Sequence, residues 1–217
     1  MLFDNDCSVL PPLPAPEYAD IRVLLASASP RRRQLLGMIV PHFETVRLTD
    51  VKEEYPASLP PEEVPAFLSR LKADAYVDRM RDNDLMITAD TIVIAGGRIL
   101  GKPSGRDEAI EMLRLLSDSP HTVVTGVTLS SLAGKRSDTF SVSTDVHFAR
   151  LPQERIENYV DRYRPFDKAG AYGVQEWIGA MGISRIEGSF YNVMGLPLHV
   201  LYDHLASFFK NKLVTSR

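Results

Sequence analysis

The run LMITADTIVIA at Leu85–Ala95 constrains the fold more than any other segment. It is apolar and rich in β-branched residues, so it reads as a strand. Gly96-Gly97 then turns the chain into Arg98–Leu100, a hairpin signal. His121–Leu132 and Thr139–Phe148 alternate like two more strands, around a turn at Ala133-Gly134-Lys135. Beside these antiparallel pairs stand βα units. Arg22–Ala26 (RVLLA) predicts a short buried strand that runs through Ser27-Ala28-Ser29-Pro30 into a helix over Arg31–Met38. Ser29 suits the N-cap and Pro30 the first helical position. Phe43–Leu48 predicts a second strand, and the polar segment Thr49–Pro61 a loop.

Val64, Phe67, Leu68, Leu71 and Ala75 fall at helical spacing and predict a helix over Glu62–Met80. Further helices are expected over Asp107–Leu116, Pro152–Tyr163 and Leu198–Phe209, with glycine-rich loops at 170–182 and 187–197. The expected fold is a single α/β domain with a mixed, largely antiparallel sheet flanked by helices. Pro11, Pro12, Pro14 and Pro16 mark residues 1–20 as an N-terminal arm, either loose or packed over a sheet edge or subunit contact. The domain proper is expected over 21–217.

Net charge is −3, and no basic cluster stands out beyond Arg31, Arg32 and Arg33, which counts against broad nucleic-acid binding. Cys7 is the only cysteine, so an intrachain disulfide and a cysteine metal cage are excluded. No apolar stretch approaches the roughly 20 residues of a membrane helix. The opening MLFDNDCSVL carries acidic residues where a signal peptide is basic. A cytoplasmic protein with no membrane partner is the simplest expectation.

Several polar groups stand out. Ser29, Arg31 and Arg32 open a helix after a small-residue turn, a setting for phosphate oxygens or for an ordinary capped helix. Asp90 is a lone carboxylate in an apolar strand. Buried, it needs a partner, a metal or a catalytic role. It shares a face with Thr88 and Ile92, so alternation leaves open whether that face is solvated. Lys102 lies between Gly101 and Pro103, either a phosphate contact or a plain turn lysine. In DKAGAYGVQ, small residues flank Asp167, Lys168 and Gln175, whose amide carries both donor and acceptor. Glu53 and Glu54 lie in the loop after the second strand, where a carboxylate could join Asp90 around a magnesium ion or simply face water.

Taken together, SASPRR at 27–32, ADT at 89–91, LGKP at 100–103, DKAGAYGVQ at 167–175 and GSFYNVMGLP at 188–197 resemble the motifs of the Maf family. The resemblance covers roughly residues 22–209. It implies a fold like that of inosine triphosphate pyrophosphatases. It also implies hydrolysis of a nucleoside triphosphate, dTTP or UTP for this subgroup, to monophosphate and pyrophosphate with a divalent cation, Mg2+ or Mn2+. Asp90 then matches the catalytic proton acceptor and Glu53 a carboxylate of the pocket, and these two are the candidate metal ligands. Arg31, Thr91 and Gln175 match positions tied to substrate choice. Ser29, Arg32, Lys72 and Lys102 match polar positions around the phosphates. A homodimer is a further family-level expectation. Thr88, Glu176, Trp177 and Arg164 depart from the usual pattern, the last three close to the expected base pocket.

Overall fold

The computed structural model describes residues 20–48, 51–131 and 136–210. The expected arm, apart from Asp20, and the turn at 133–135 lie outside the described residues. Among the described residues seven strands form one sheet: β1 (Arg22–Ala26), β2 (Glu44–Val46), β3 (Asp84–Ala95), β4 (Arg98–Leu100), β5 (Pro120–Ser131), β6 (Arg136–Phe148) and β7 (Ile183–Glu187). Their order is β2-β1-β3-β5-β6-β7, with β4 also on β3. β1 pairs parallel with β2 and β3, and every other pairing is antiparallel. The mixed, mainly antiparallel sheet is therefore as the hairpin and βα signals foretold.

Helices cover both faces: α1 (Pro30–Leu36), α2 (Val64–Asp74), α3 (Arg106–Leu116), α4 (Gln153–Tyr163), α5 (Trp177–Gly182), α6 (Phe190–Met194) and α7 (Leu198–Lys210). Alternation along β3 sends Leu85, Ile87 and Ala89 into one core with α1 and α7. Val93 continues that face into a second core under α3 and α4. On the opposite face, Ile92 and Ile94 pack with Val64 and Leu68 of α2.

Three expectations are corrected. The long helix over Glu62–Met80 is a 3-10 turn at Pro61–Glu63, then α2, then another 3-10 turn at Val77–Arg79. Past Asp74 the chain still packs on the sheet, with Tyr76 and Met80 against Leu24 and Met86, but Val77 is 37% exposed and the chain turns back to start β3. The second strand is only Glu44–Val46. The segments read as glycine-rich loops contain α5 and α6, and β7 lies between them. These elements are too short for periodicity to reveal, and β7 exists by pairing with β6.

Helix α2 sits unusually close to the sheet, and Gly126 is the reason. A Cβ there would lie 2.2 Å from the Pro65 carbonyl carbon. Thr88 Oγ1 donates to Ser69 O (2.7 Å), and Ser69 Oγ meets Thr128 Oγ1 (2.8 Å), so buried hydroxyls pin the same helix. Gly126 is the register partner of Asp90, so this approach fixes how α2 faces the acidic strand. Gly126→Ala is expected to cost about 2–3 kcal/mol through overpacking. Urea denaturation reads the loss, and an unchanged midpoint would show that α2 can move off freely.

His121 on β5 is buried at 3% exposure. Its ring stacks on Phe148, and Nε2 lies 2.7 Å from Tyr172 Oη. Nδ1 has no hydrogen-bond partner among the described residues. Burial, helped by the nearby His147, lowers its pKa from 6.5 to about 4. The unfolded chain thus takes up a proton near pH 6.5 that the folded chain refuses until about pH 4. Stability is full above that window and falls as pH drops through it, by roughly 3 kcal/mol at most. In urea titrations between pH 6.5 and 4, His121→Gln is expected to flatten this slope. An equally steep slope in the variant would assign the acid sensitivity elsewhere.

Candidate active site

The site forms where the edge of β3 is left open. β5 covers one edge of β3 from Leu85 to Ile94. On the other edge, β1 pairs only as far as Ile87, and β4 begins at Val93. Among the described residues, 88–92 therefore have no strand neighbour on that side. The backbone groups left in the gap need other partners. Asp90 and Thr91 sit in this gap, at the carboxyl end of β1 and β2, where open α/β sheets offer a crevice.

Arg32 fills part of the gap. Its Nη1 donates to Ala89 O (2.8 Å), Nη2 to Thr91 Oγ1 (2.9 Å) and Nε to Gly195 O (2.8 Å). The guanidinium thus ties α1, β3 and the turn before α7 together around Asp90. Desolvation works against its charge, and the negative Asp90 supports it. Two of its five N–H groups remain for a ligand. Ser29 caps α1 by accepting from Arg32 N, as the sequence foretold. α1 is only seven residues long, so the arginine side chains, rather than the helix dipole, bring most of the positive charge here.

Asp90 lies on the α2 face and is 8% exposed. Lys72 reaches it from α2, with Nζ donating to Oδ1 at 2.6 Å. The same ammonium is 3.0 Å from Glu53 Oε1. One lysine thus gathers the two carboxylates that the sequence had only suggested could meet. On the opposite wall, Arg31 Nη1 donates to Asp167 Oδ2 (3.0 Å), and Lys168 Nζ to Asp167 Oδ1 (2.7 Å). Hydrogen bonds from Lys168 and Arg31 hold the Asp167 carboxyl below its usual range, against the opposing effect of burial.

These groups line one cleft of about 900 Å3. Ser29, Arg31, Arg32, Glu53, Lys72, Asp90, Thr91, Lys102, Asp167, Lys168 and Gln175 all line it, whereas Glu54 does not. Arg33 does not line it. Arg47 and Tyr55, from the segment after β2, line it too and were not foreseen. Their only signal was position: a strand parallel to β1 delivers its following loop to the same end of the sheet. Thr88, noted only as a departure, anchors α2 from beneath. Glu176, Trp177 and Arg164 are not among the lining residues. Six cationic side chains face three carboxylates there, in a chain whose net charge is −3. Such local excess draws a polyanion.

Fold and cleft together define an α/β protein with a mixed sheet and a cation-rich cavity floored by a buried carboxylate. The chain belongs to the Maf family: the family described as Maf-like protein matches residues 22–208. It is 53% identical to a protein named dTTP/UTP pyrophosphatase from Porphyromonas gingivalis, over 86% of this chain and 94% of that one. A dTTP/UTP pyrophosphatase of Bacteroides thetaiotaomicron is 51% identical, over 85% of this chain and 94% of the relative. Among solved structures, a HAM1 protein from Coxiella burnetii is similar at a TM-score of 0.48 and 14% identity, covering 86% of this chain and 99% of that one. Among the described residues, no helix is long and apolar enough to cross a membrane.

Proposed function

We propose that the protein hydrolyses a pyrimidine nucleoside triphosphate, dTTP or UTP, to the monophosphate and pyrophosphate. The observation that carries this is the convergence of Arg31, Arg32, Lys102 and Lys168 on the cleft that holds Asp90 paired with Lys72. The names of the relatives that match most of the chain support the choice of substrate.

In this reading the triphosphate lies along the cations, which offset its charge and fix the α phosphorus near Asp90. Water attacks that phosphorus while the bond to the bridging oxygen of the β phosphate breaks. The water's proton passes to the Asp90 carboxylate. Lys72, hydrogen-bonded to Asp90, keeps that carboxylate aimed until then. Pyrophosphate leaves with its charge spread over Lys102 and the arginines. Positioning and charge stabilisation account for most of the rate. Gln175, which lines the cleft, offers the acceptor and donor that N3–H and O4 of uracil or thymine require.

A divalent cation fits the donor set. Asp90 and Glu53 both approach Lys72 Nζ, at 2.6 and 3.0 Å, and would hold the ion with oxygens of the nucleotide. Among the described residues no group of three or more metal-ligating side chains stands ready, which suits magnesium or manganese shared with phosphates. When bound, such an ion neutralises developing charge on the phosphate oxygens.

The test is a panel of nucleoside triphosphates with Mg2+ or Mn2+, scored for pyrophosphate against orthophosphate. Pyrophosphate from dTTP and UTP is the expected result. Orthophosphate release would make the protein a phosphatase, and tight binding without turnover a regulator.

A further inference from the structure

We propose that Glu176 is a positioning residue for the nucleotide, holding the 167–175 loop in its binding shape through Lys168 and Gly173. This rests on reading the cleft as the nucleotide site.

Glu176 occupies the N-cap of α5, yet its side chain makes no capping bond. The carboxylate turns back beneath the loop instead. Oε1 lies 3.0 Å from Lys168 Nζ. Oε2 accepts from Tyr159 Oη, and that hydroxyl in turn accepts from Gly173 N at 3.3 Å. Gly173 leaves the room this needs, since a Cβ there would lie 2.8 Å from Glu176 Cδ. Both bonds are made by a carboxylate that is only 19% exposed. The diversion of a cap residue into a buried hydrogen-bonded network is what a structural N-cap would not require.

Glu176 does not line the cleft, whereas Lys168, Gly173 and Gln175 do. It can therefore act on a ligand only through them. It also ends a row of alternating charges. Arg31 pairs with Asp167 (3.0 Å), Asp167 with Lys168 (2.7 Å), and Lys168 with Glu176 (3.0 Å). Without Glu176 the buried Lys168 has Asp167 alone, and the share of Asp167 left for Arg31 shrinks. A change at this part-buried carboxylate thus reaches both Arg31 and the loop that ends in Gln175.

The experiment compares Glu176→Gln, Lys168→Met and the double variant in steady-state turnover of UTP. UTP affinity is measured in parallel by calorimetry in an Asp90→Asn background. Glu176→Gln is expected to raise KM and Kd about tenfold, the worth of one charge-assisted bond, with kcat within about threefold. The double variant is expected to lose less than the product of the two single losses, because the two side chains share one contact. Unchanged KM and Kd in a folded variant, a fall confined to kcat, or effects that multiply would overturn the proposal. If Glu176→Gln does not fold, Tyr159→Phe decides. It keeps the ring stacked on Tyr163 and removes the hydroxyl, and an unchanged KM there would reject the network. Should the unmodified protein release no pyrophosphate, the functional reading fails, while calorimetry still decides the role of Glu176.

Discussion

Asp90→Asn is expected to lower pyrophosphate release by a factor on the order of 10²–10⁴ while the fold survives. The substitution keeps the shape of the side chain and removes the group that takes the water's proton. It also removes the negative partner of Lys72 at 2.6 Å. That ammonium still has Glu53 at 3.0 Å, so it is not left as an unpaired buried charge. For this reason the loss should appear in kcat and leave the urea midpoint nearly unchanged. A folded Asp90→Asn protein that turns over dTTP at close to the normal rate would remove the carboxylate from the chemistry and with it the mechanism.

Arg32→Ala is expected to cost both stability and activity, about 2 kcal/mol and at least a hundredfold in turnover. Three acceptors lose their donor at once: Ala89 O, Gly195 O and Thr91 Oγ1. Ala89 O lies in the unpaired stretch of β3, next to Asp90, so the strand that carries the carboxylate loses its tie on that edge. Water entering from the cleft can satisfy part of the deficit, which keeps the stability cost moderate. Arg32→Lys is expected to recover little, because one compact ammonium cannot span three acceptors held apart by a planar fork. Denaturation and kinetics on the same preparations test this. A lysine variant with both properties near normal would show that only the charge matters.

Much of the fold was legible because its signals are local. β3, the Gly96-Gly97 hairpin and the Ser29-capped helix each follow from residues close together in the chain. Boundaries moved by one or two residues at most helix ends. What failed was local in another sense: α5, α6 and β7 carry too few residues for periodicity, and their stability comes from neighbours far along the chain. Helix α2 stopped at Asp74 although Ala73, Tyr76 and Met80 still share a core with Leu24 and Met86, so apolar positions continue past the helix end and the fold, not their spacing, decides what they meet. Asp90 was ambiguous for the same reason. Alternation gave its face, but only the position of α2 decided that Lys72 covers that face.

By itself the sequence determined the family, the kinds of side chain available and the strand that carries the lone carboxylate, since motifs and short-range patterns are properties of the chain. The tertiary structure decided which of those side chains are engaged with the protein and which face the cavity. Arg32 is largely committed to backbone acceptors, Lys72 gathers two carboxylates, and Glu176 turns from its helix to brace a loop. The physical reason is that a hydrogen bond or ion pair depends on distances of about 3 Å between groups that can be over a hundred residues apart in sequence. Those distances are set by where β1 stops and β4 starts along one edge of β3.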